Sequence, residues 1–323
     1  MAMGYRMLLS DRIGRRVKLN DLHVLAAVVQ AGSMSKAAKL LNTTQPAISK
    51  SIADLEHAMR VQLLDRTTQG VEPTPYGRAL LQRSITVFDE LKQGVKEIEF
   101  LADPTAGEIR IGTTEPLAAG IIPATIDRLN RQHPRISCHV DVQGDFTTLE
   151  NKLRNRELDL MIACNLNDTL SEDLNSELLL TDRLLLVTGL RNPLARRRKL
   201  ELKDLLNEHW SLPPLGSAPR TVIVNTFHAA GLEPPKAIVT GFAIPLHASL
   251  IATGRFVAAV PESLLHLSGD VPVKVLPIDV RMQLKGVHIV TLKNRMQSPV
   301  AELFAGTART VAKVLSNRKQ ANR

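Results

Sequence analysis

The first sixty residues carry apolar positions at helical spacing, which predict three short helices. The first helix has its apolar stripe at Leu22, Leu25, Ala26 and Val29. Gly32 ends this helix, and either Ser33 or Ser35 can cap the second one. The third helix follows Thr44, its candidate N-cap. Its stripe consists of Ile48, Ile52, Leu55 and Met59.

Two short extended runs follow the third helix and predict a β-hairpin around Gln69 and Gly70. Pro75 then begins a long helix that is predicted to run to about Leu101. Its seam has the alternating three- and four-residue spacing of a coiled coil and consists of Leu81, Ser84, Phe88, Leu91, Val95, Ile98 and Ala102. Two interpretations remain open: a dimerisation helix, which we favour, and an amphipathic helix packed on its own domain.

Strand and helix patterns alternate after residues 103–107, a turn-rich run that predicts a hinge. The predicted strands are 108–112, 136–142, 158–164, 183–188, 237–241, 256–260, 273–276 and 286–292. The predicted helices are 117–131, 146–155, 201–207, 220–230, 245–253 and 299–316. This alternation predicts an α/β sheet that binds ligands at the carboxyl ends of its strands. The apolar run 158–164 is typical of a strand in a parallel sheet, and the glycines and prolines at 189–219 indicate a crossing between two lobes.

Length and charge narrow the class of protein. A chain of 323 residues favours two or three compact units, and no apolar run reaches the length of a bilayer span. The first seventeen residues lack the pattern of a secretory signal, so we expect a cytoplasmic protein without a membrane partner. Residues 1–83 hold 12 Lys and Arg against 6 Asp and Glu, whereas the rest holds 29 against 26. The excess of basic residues at the N-terminal end favours nucleic-acid binding there.

The cysteines and histidines predict no metal site and no cofactor. Cys138 and Cys164 lie in strand-like runs without a neighbouring Lys or Arg, so we expect buried thiols, with a redox-sensing pair as the open alternative. The nine histidines show no zinc-site spacing.

Residues 22–77 resemble the winged helix-turn-helix of LysR-type bacterial transcriptional regulators. The matching elements, in order, are Gly32-Ser33, Ala37-Ala38, Leu41, Gln45-Pro46-Ala47, Ser49, Leu55-Glu56, Leu63, Arg66, Thr74 and Gly77. The sequence departs from the family at several positions near the wing. Arg60 replaces a glycine, Leu64 a phenylalanine and Pro73 a leucine, and Pro75-Tyr76 precedes Gly77.

The later sequence is similar to the effector-binding part of the same family. The similar stretches are GEIRIG, ELDLMIA, residues 192–196 and ATGRFVAAVPESLL. The resemblance implies an all-α winged helix-turn-helix with a long linker helix, followed by an α/β two-lobed effector-binding domain similar to periplasmic binding proteins. The implied boundaries are 1–17 for an extension, 18–77 for the DNA-binding domain, 78–104 for the linker helix and hinge, and 105–323 for the effector-binding domain. Within the last, one lobe would cover about 105–180 and 284–323, and the other about 181–283.

The resemblance also implies which residues contact DNA. The third helix would enter the major groove with its N-terminal end nearest the bases, where the amide of Gln45 suits adenine. Hydroxyls and a cation near the second helix would hold the phosphate backbone, and the wing arginine would reach the minor groove. The predicted DNA contacts are Ser33, Ser35, Lys36, Gln45, Pro46, Ala47, Ser49, Lys50 and Arg66. Capping and solvent exposure are the alternative roles of Gln45 and Ser49.

The predicted effector contacts lie in loops after strands. They are Thr113, Thr114, Asp145, Phe146, Thr147, Asn165, Ser217, Phe242 and Ile244. The helix after Thr114 is expected to offer free N–H groups to a carboxylate or another polar group. Phe146, where relatives often carry a hydroxyl, is expected to make the pocket more apolar. Capping and core packing explain each of these residues equally well.

The resulting hypothesis is a transcriptional regulator that binds promoter or operator DNA and a small-molecule effector. The expected partners are duplex DNA, the effector, a second copy in a homodimer or homotetramer, and RNA polymerase. One alternative is a two-lobed ligand-binding protein or enzyme whose N-terminal helices only dimerise. No enzyme motif supports it, since the sequence lacks a nucleophile elbow, a phosphate loop and a paired histidine and carboxylate motif. The other is an architectural DNA-binding protein without a ligand.

Overall fold

The computed structural model describes residues 16–67, 70–164, 171–267 and 272–321. The chain divides after Lys92 into two units. Among the described residues, no helix is both long enough and apolar enough to cross a membrane.

The N-terminal helices form because their apolar stripes meet in one core. These helices are α1 (Leu19–Ala31), α2 (Met34–Leu40) and α3 (Gln45–Met59). Leu25, Ile52 and Leu55 of the predicted stripes are completely buried. Ala37 and Ala38 of α2 are buried as well, and their small side chains let the neighbouring helices approach.

The helix ends follow the sequence signals in part. Gly32 ends α1 with φ 68°, in the left-handed region that suits glycine. Ser33, not Ser35, caps α2, because its Oγ accepts a hydrogen bond from the N–H of Lys36 at 3.1 Å. Thr44 occupies the N-cap position of α3, but its side chain makes no capping hydrogen bond.

The two strands of the predicted hairpin and the long helix are present, whereas Gln69 of the predicted turn lies outside the described residues. β1 (Leu64–Thr67) and β2 (Gly70–Pro73) pair antiparallel, and α4 (Pro75–Ala102) follows. Leu81 and Phe88 of α4 pack against the N-terminal core, and the buried hydroxyl of Ser84 donates to the carbonyl of Leu80 at 2.8 Å. Further along, four large apolar side chains are exposed, Leu91, Val95, Ile98 and Leu101, while Phe100 is half-buried. The seam therefore divides between packing on its own domain and an uncovered apolar face.

The C-terminal unit contains two five-stranded sheets. The first sheet has the strand order β4-β3-β5-β12-β6. Its strands are β3 (Ala106–Thr113), β4 (Arg135–Val142), β5 (Leu160–Cys164), β6 (Leu174–Leu180) and β12 (Val287–Leu292). Its helices are α5 (Glu115–Ala118), α6 (Ile121–Gln132), α7 (Phe146–Arg154) and α11 (Pro299–Ala321). Residues of α6 and α11 form the core over this sheet with Ile109, Ile111 and Phe304 at its centre.

The second sheet has the strand order β11-β7-β10-β8-β9. Its strands are β7 (Leu184–Gly189), β8 (His209–Leu212), β9 (Ala237–Thr240), β10 (Phe256–Pro261) and β11 (Val273–Val275). Its helices are α8 (Ala218–Ala229), α9 (Ile244–Ala252) and α10 (Glu262–Leu267). Trp210 and Phe227 fill its core, with their rings edge to face at 5.8 Å.

Several sequence predictions need correction. The predicted helix 117–131 is two helices separated at Gly120, whose φ of −120° and ψ of −93° are not helical. The run 189–219 does not cross between the lobes, because it contains β8 and two short 3-10 helices beside the second sheet. The chain passes between the sheets at residues 181–183 and again between β11 and β12. β5 is parallel to β3 but antiparallel to β12, so its sheet is mixed. Sequence patterns did not predict β6, β8 or α10.

Candidate DNA-binding surface and effector cleft

The leading end of α3 is presented to solvent. Its stripe faces inward, with Ile48 only 1% exposed. Gln45, Pro46, Ala47 and Lys50 are exposed on the other side, and Ser49 is half-buried. Within the described part of the chain, no hydrogen bond or ion pair occupies the side chains of Gln45 and Lys50. Both are therefore available to base edges or phosphates.

The start of α2 gives a second polar group of side chains. Ser35 and Lys36 are exposed, and Ser33 is half-buried. The Ser33 oxygen already accepts the Lys36 N–H, but its hydroxyl hydrogen is left to donate. A phosphate can thus meet hydroxyl donors and a cation at the first turn of α2.

The hairpin of β1 and β2, which we call the wing, is fixed through Gly70 and Val71 to the turn between α1 and α2. Arg66 is exposed on β1 and pairs in register with Val71 of β2. The N–H of Val71 donates to the carbonyl of Gly32 at 3.0 Å. Gly70 has φ 143°, and a Cβ there would lie 2.8 Å from the Gly32 oxygen. Only glycine fits this close approach between wing and turn.

The base of the wing is fixed to the start of α4. The Thr74 hydroxyl donates to the carbonyl of Gln62 at 2.8 Å and accepts from the N–H of Gly77 at 3.1 Å. The N–H of Thr74 donates to the carbonyl of Leu63 at 3.0 Å. A Cβ on Gly77 would lie 2.0 Å from that same Leu63 oxygen. Thr74 and Gly77 therefore join the wing to the linker helix.

Two carboxylates that sequence reasoning did not assign hold this unit together. Asp21 of α1 is buried, and its Oδ1 accepts from the Ser51 hydroxyl of α3 at 2.7 Å. Glu56 of α3 accepts from the N–H groups of Leu63 and Leu64 at 2.8 and 3.2 Å. The sequence marked Glu56 only as part of the Leu55-Glu56 family element, and that match does not indicate which groups its carboxylate contacts.

A cleft in the C-terminal unit is lined by residues beside the ends of both sheets. Its volume is about 140 Å³. Four predicted effector residues line it: Thr114, Ser217, Phe242 and Ile244. Most of the remaining lining is apolar, including Leu117, Leu184, Val260 and Leu284.

The other predicted effector residues lie elsewhere. Thr113 is buried within the sheet, where its hydroxyl donates to the carbonyl of Ile162 at 2.9 Å. Asp145 caps α7 by accepting the N–H of Thr148 at 2.7 Å, and this hydrogen bond lowers the pKa of its carboxyl below the ordinary value. Phe146 is a core residue, 5% exposed, and Thr147 is exposed outside the cleft. Asn165 lies outside the described residues.

Polar groups that the sequence did not indicate also line the cleft. His247 is buried, with Nδ1 at 2.7 Å from the Ser211 hydroxyl and Nε2 at 2.9 Å from the carbonyl of Gly241. A carbonyl only accepts, so Nε2 carries the proton of that bond. Asp182 is 2% exposed and accepts from the N–H and the hydroxyl of Ser263. Hydrogen bonds within the protein therefore hold both side chains in the wall of the cleft.

The expected anion-favouring helix start beside Thr114 is not present. α5 has only four residues, and Pro116 in its first turn has no N–H to donate. Glu115 instead places a half-buried carboxylate beside the cleft. Glu115 disfavours a carboxylate ligand beside it, whereas Lys285 adds a cation to the lining of the same cleft.

Both cysteines are half-buried rather than fully buried as expected, and the pKa of each thiol is raised. Burial, with a contribution from the charge of Asp182, raises the pKa of Cys164 to about 12. Burial also raises the pKa of Cys138. Burial therefore disfavours the thiolate form of both residues.

Comparisons with known proteins match both units. Residues 102–313 match the family model for the LysR substrate binding domain, and residues 19–78 match that for the bacterial regulatory helix-turn-helix protein of the lysR family. The regulator GbpR of Azospirillum brasilense is 27% identical over 92% of this chain and 87% of its own. The dual regulator GltC of Bacillus subtilis is 27% identical over 89% of this chain and 95% of its own.

Solved structures agree on the fold. A full-length OxyR variant from Pseudomonas aeruginosa has a TM-score of 0.63 at 19% identity, covering 92% of this chain and 96% of its own. Full-length CbnR in complex with its target DNA has a TM-score of 0.53 at 19% identity, covering 91% of this chain and 99% of its own.

Proposed function

The chain belongs to the LysR family of bacterial transcriptional regulators, and we propose that it reads its DNA site through the leading end of α3 and the wing. Membership makes it a DNA-binding regulator with an effector-binding domain. The observation that carries the residue assignment is the unoccupied, exposed group Gln45, Pro46, Ala47 and Lys50. Gln45 and Lys50 suit adenine and guanine edges, and the two apolar residues suit a thymine methyl.

Phosphate contacts come from residues around α3. Ser33, Ser35 and Lys36 hold the backbone on one side, Ser49 lies beside the reading face, and Arg66 of the wing contacts the flanking DNA. Base edges are read by matched hydrogen bonds, whereas phosphates are bound by positive charge. Because the phosphate contacts come from residues around α3, the leading end of α3 needs only one lysine.

The test compares two variants on a random-sequence duplex library selected by the full chain. Gln45→Ala should flatten the sequence preference at one or two positions. Lys36→Ala should weaken all sequences about equally and lower the salt slope by about one. Lys39→Ala, an exposed lysine on another part of α2, is the control and should change neither. An unchanged preference in Gln45→Ala would refute the assignment of α3.

We propose a homodimer that pairs through the exposed face of α4. Leu91, Val95 and Ile98 are 49, 53 and 68% exposed, and their spacing is that of a coiled-coil seam. Val95→Glu should lower the mass measured by light scattering, whereas Lys92→Glu, on the same helix outside the seam, should not. We also propose that two dimers assemble into a tetramer and that the protein contacts RNA polymerase at the promoter.

The cleft is the proposed effector site, with Thr114, Ser217, Phe242 and Ile244 as contacts. Its volume of about 140 Å³ is close to that of an apolar cavity that holds benzene, roughly 150 Å³. We therefore propose an effector with a small apolar body and a single polar end. The effector acts by binding two arrangements of the chain unequally, which shifts their populations.

A thermal-shift series on the full chain tests the cleft, with benzyl alcohol and benzamide as probes. Ile244→Trp, which fills the cleft, should abolish any shift, while Leu215→Trp on the exposed surface should preserve it. A shift that survives Ile244→Trp would place binding elsewhere. We assign no catalytic activity, and we propose the cytoplasm as the location because the promoter DNA is there.

A further inference from the structure

The wing is too small to hold its own orientation. Each strand has four residues, and an isolated two-stranded hairpin is marginally stable in water. Its direction is therefore set by its contacts with the rest of the unit. Gly32 holds Val71 of β2, and Thr74 with Gly77 holds the side next to α4.

Glu56 holds the remaining side, where the chain leaves α3. Arg60 ends the helix with φ 58°, so the chain reverses and Leu63 and Leu64 return past the last turn of α3. One oxygen, Oε1 of Glu56, accepts both of their N–H groups, at 2.8 and 3.2 Å. The two leucine side chains are 1% and 4% exposed, so these N–H groups lie where loss of their partner is costly.

The strand opposite does not satisfy Leu64. Its partner in register is Pro73. The bond from the neighbouring Thr74 N–H to the Leu63 carbonyl makes Leu64 and Pro73 a pair without ladder hydrogen bonds, so the Leu64 N–H points away from β2. The Pro73 carbonyl accepts instead from the guanidinium of Arg78 at 2.6 Å. The Leu64 N–H therefore depends on Glu56, at the first residue of the strand that carries Arg66.

The charge of Glu56 is unfavourable in both of its surroundings. It lies in the last turn of α3, where the helix dipole disfavours an anion. It also carries a negative charge on a unit that binds phosphates. We infer that Glu56 is a positioning residue, which holds the start of β1 so that Arg66 meets the DNA. This inference rests on the proposed contact of Arg66 with DNA.

Two substitutions of Glu56 separate the effect of its oxygen position from the effect of its charge. Glu56→Gln keeps an oxygen at the same reach and removes the charge, whereas Glu56→Asp keeps the charge and withdraws the oxygen by one methylene. Positioning predicts that Glu56→Gln binds at least as tightly as the wild type. It predicts that Glu56→Asp binds DNA several-fold more weakly than the wild type. The slope of log affinity against log salt concentration should also fall in magnitude by about one, as it should for Arg66→Ala. Simple electrostatics predicts a gain for Gln and no change for Asp.

The probe is a duplex that the wild-type chain has selected from a random-sequence library. Asp54→Asn, at an exposed position of the same helix, measures the effect of removing one charge without moving the wing. Glu56→Asp is then made in the Arg66→Ala background, where positioning predicts no further loss of affinity. Circular dichroism melts of every variant confirm that each is folded at the temperature of the binding assay.

The outcomes are distinct. If Arg66→Ala leaves affinity and salt slope unchanged, the wing contact is refuted and this inference with it. If Arg66→Ala weakens binding but Glu56→Asp does not, the wing contact stands and the positioning role is overturned. Equal losses from Glu56→Asp with and without Arg66 overturn it as well. If Glu56→Asp does not fold, a weakened Glu56→Gln overturns the inference, and binding as tight as wild type supports it.

Discussion

Asp159→Asn should destabilise the C-terminal unit more than any exposed charge substitution of the same kind. Arg295 is a buried guanidinium, with its side chain 2% exposed, and Nη2 lies 3.2 Å from Oδ1 of Asp159. The other carboxylate oxygen, Oδ2, accepts from the N–H of Arg110 at 2.9 Å and lies 3.5 Å from Nζ of Lys96. Asparagine preserves the volume and removes the charge that faces two cations.

The magnitude follows from burial. Removal of one partner of a buried ion pair costs roughly 3–5 kcal/mol, because the other charge stays buried without compensation. The substituted amide would keep some hydrogen bonding, and Arg295 still donates to the carbonyl of Leu158 at 2.6 Å, so we expect the lower end, about 3 kcal/mol. In a unit of this size each kcal/mol lowers the melting temperature by about 2–4 °C. The expected decrease is about 6–12 °C.

The assay is thermal unfolding of the full chain, followed by tryptophan fluorescence. The sequence contains one tryptophan, Trp210, which is completely buried in the second sheet. Its emission therefore reports unfolding of the C-terminal unit and not that of the helix-turn-helix.

Glu177→Gln is the matched control. Glu177 and Arg309 form two hydrogen bonds of 2.7 and 2.8 Å, a better geometry than that of the buried pair, but both side chains are 49% exposed. Solvent screening limits such a pair to about 1 kcal/mol or less. If Glu177→Gln lowers the melting temperature as much as Asp159→Asn, or if Asp159→Asn lowers it by less than about 3 °C, burial is not the deciding quantity.

Three further predictions follow from single contacts. Gly77→Ala places a methyl group 2.0 Å from the Leu63 oxygen, so the N-terminal unit should melt at a lower temperature by circular dichroism. A wild-type melting curve would contradict the close approach. A hydrogen bond from Arg154 lowers the pKa of Asp173, so its stabilisation is complete above the ordinary carboxyl pKa and lost as pH falls through the lower folded value. The difference in melting temperature between wild type and Asp173→Asn should therefore shrink as pH falls from about 5 to about 3; a difference that grows has the wrong sign. The thiol of Cys164 has a pKa of about 12, so iodoacetamide at neutral pH should label it only after denaturation, as mass spectrometry of its peptide would show.

The N-terminal unit was the more predictable part, because its signals are local. Gly32 marks a left-handed turn, and the stripe from Ile48 to Leu55 marks a buried helix face. Pro75 begins α4 for the same local reason. In contrast, the role of Glu56 depends on a chain reversal at Arg60, and no periodicity records where that reversal carries the strand.

The cleft was predicted only in part, because proximity to a strand end does not say which way a side chain points. Thr113 and Thr114 are adjacent, yet one completes a hydrogen bond inside the sheet and the other lines the cleft. Phe146 begins α7 after a loop as expected, but its ring is buried in the hydrophobic core between α7 and the sheet and does not line the cleft. The sequence did not indicate Asp182 or His247 as cleft residues, because Ser263 and Ser211, to which they are hydrogen-bonded, are distant in the chain.

The strand β5 connects the wall of the cleft to the ion pair between Asp159 and Lys96. β5 begins beside Asp159, whose carboxylate meets Lys96 of α4, and it ends at Cys164 in the wall of the cleft. Five residues at about 3.3 Å each span about 17 Å, and a close-packed interior has low compressibility and transmits strain. We expect a ligand that displaces the Cys164 end to displace the Asp159 end as well, which would carry the movement along β5 to Lys96 of α4.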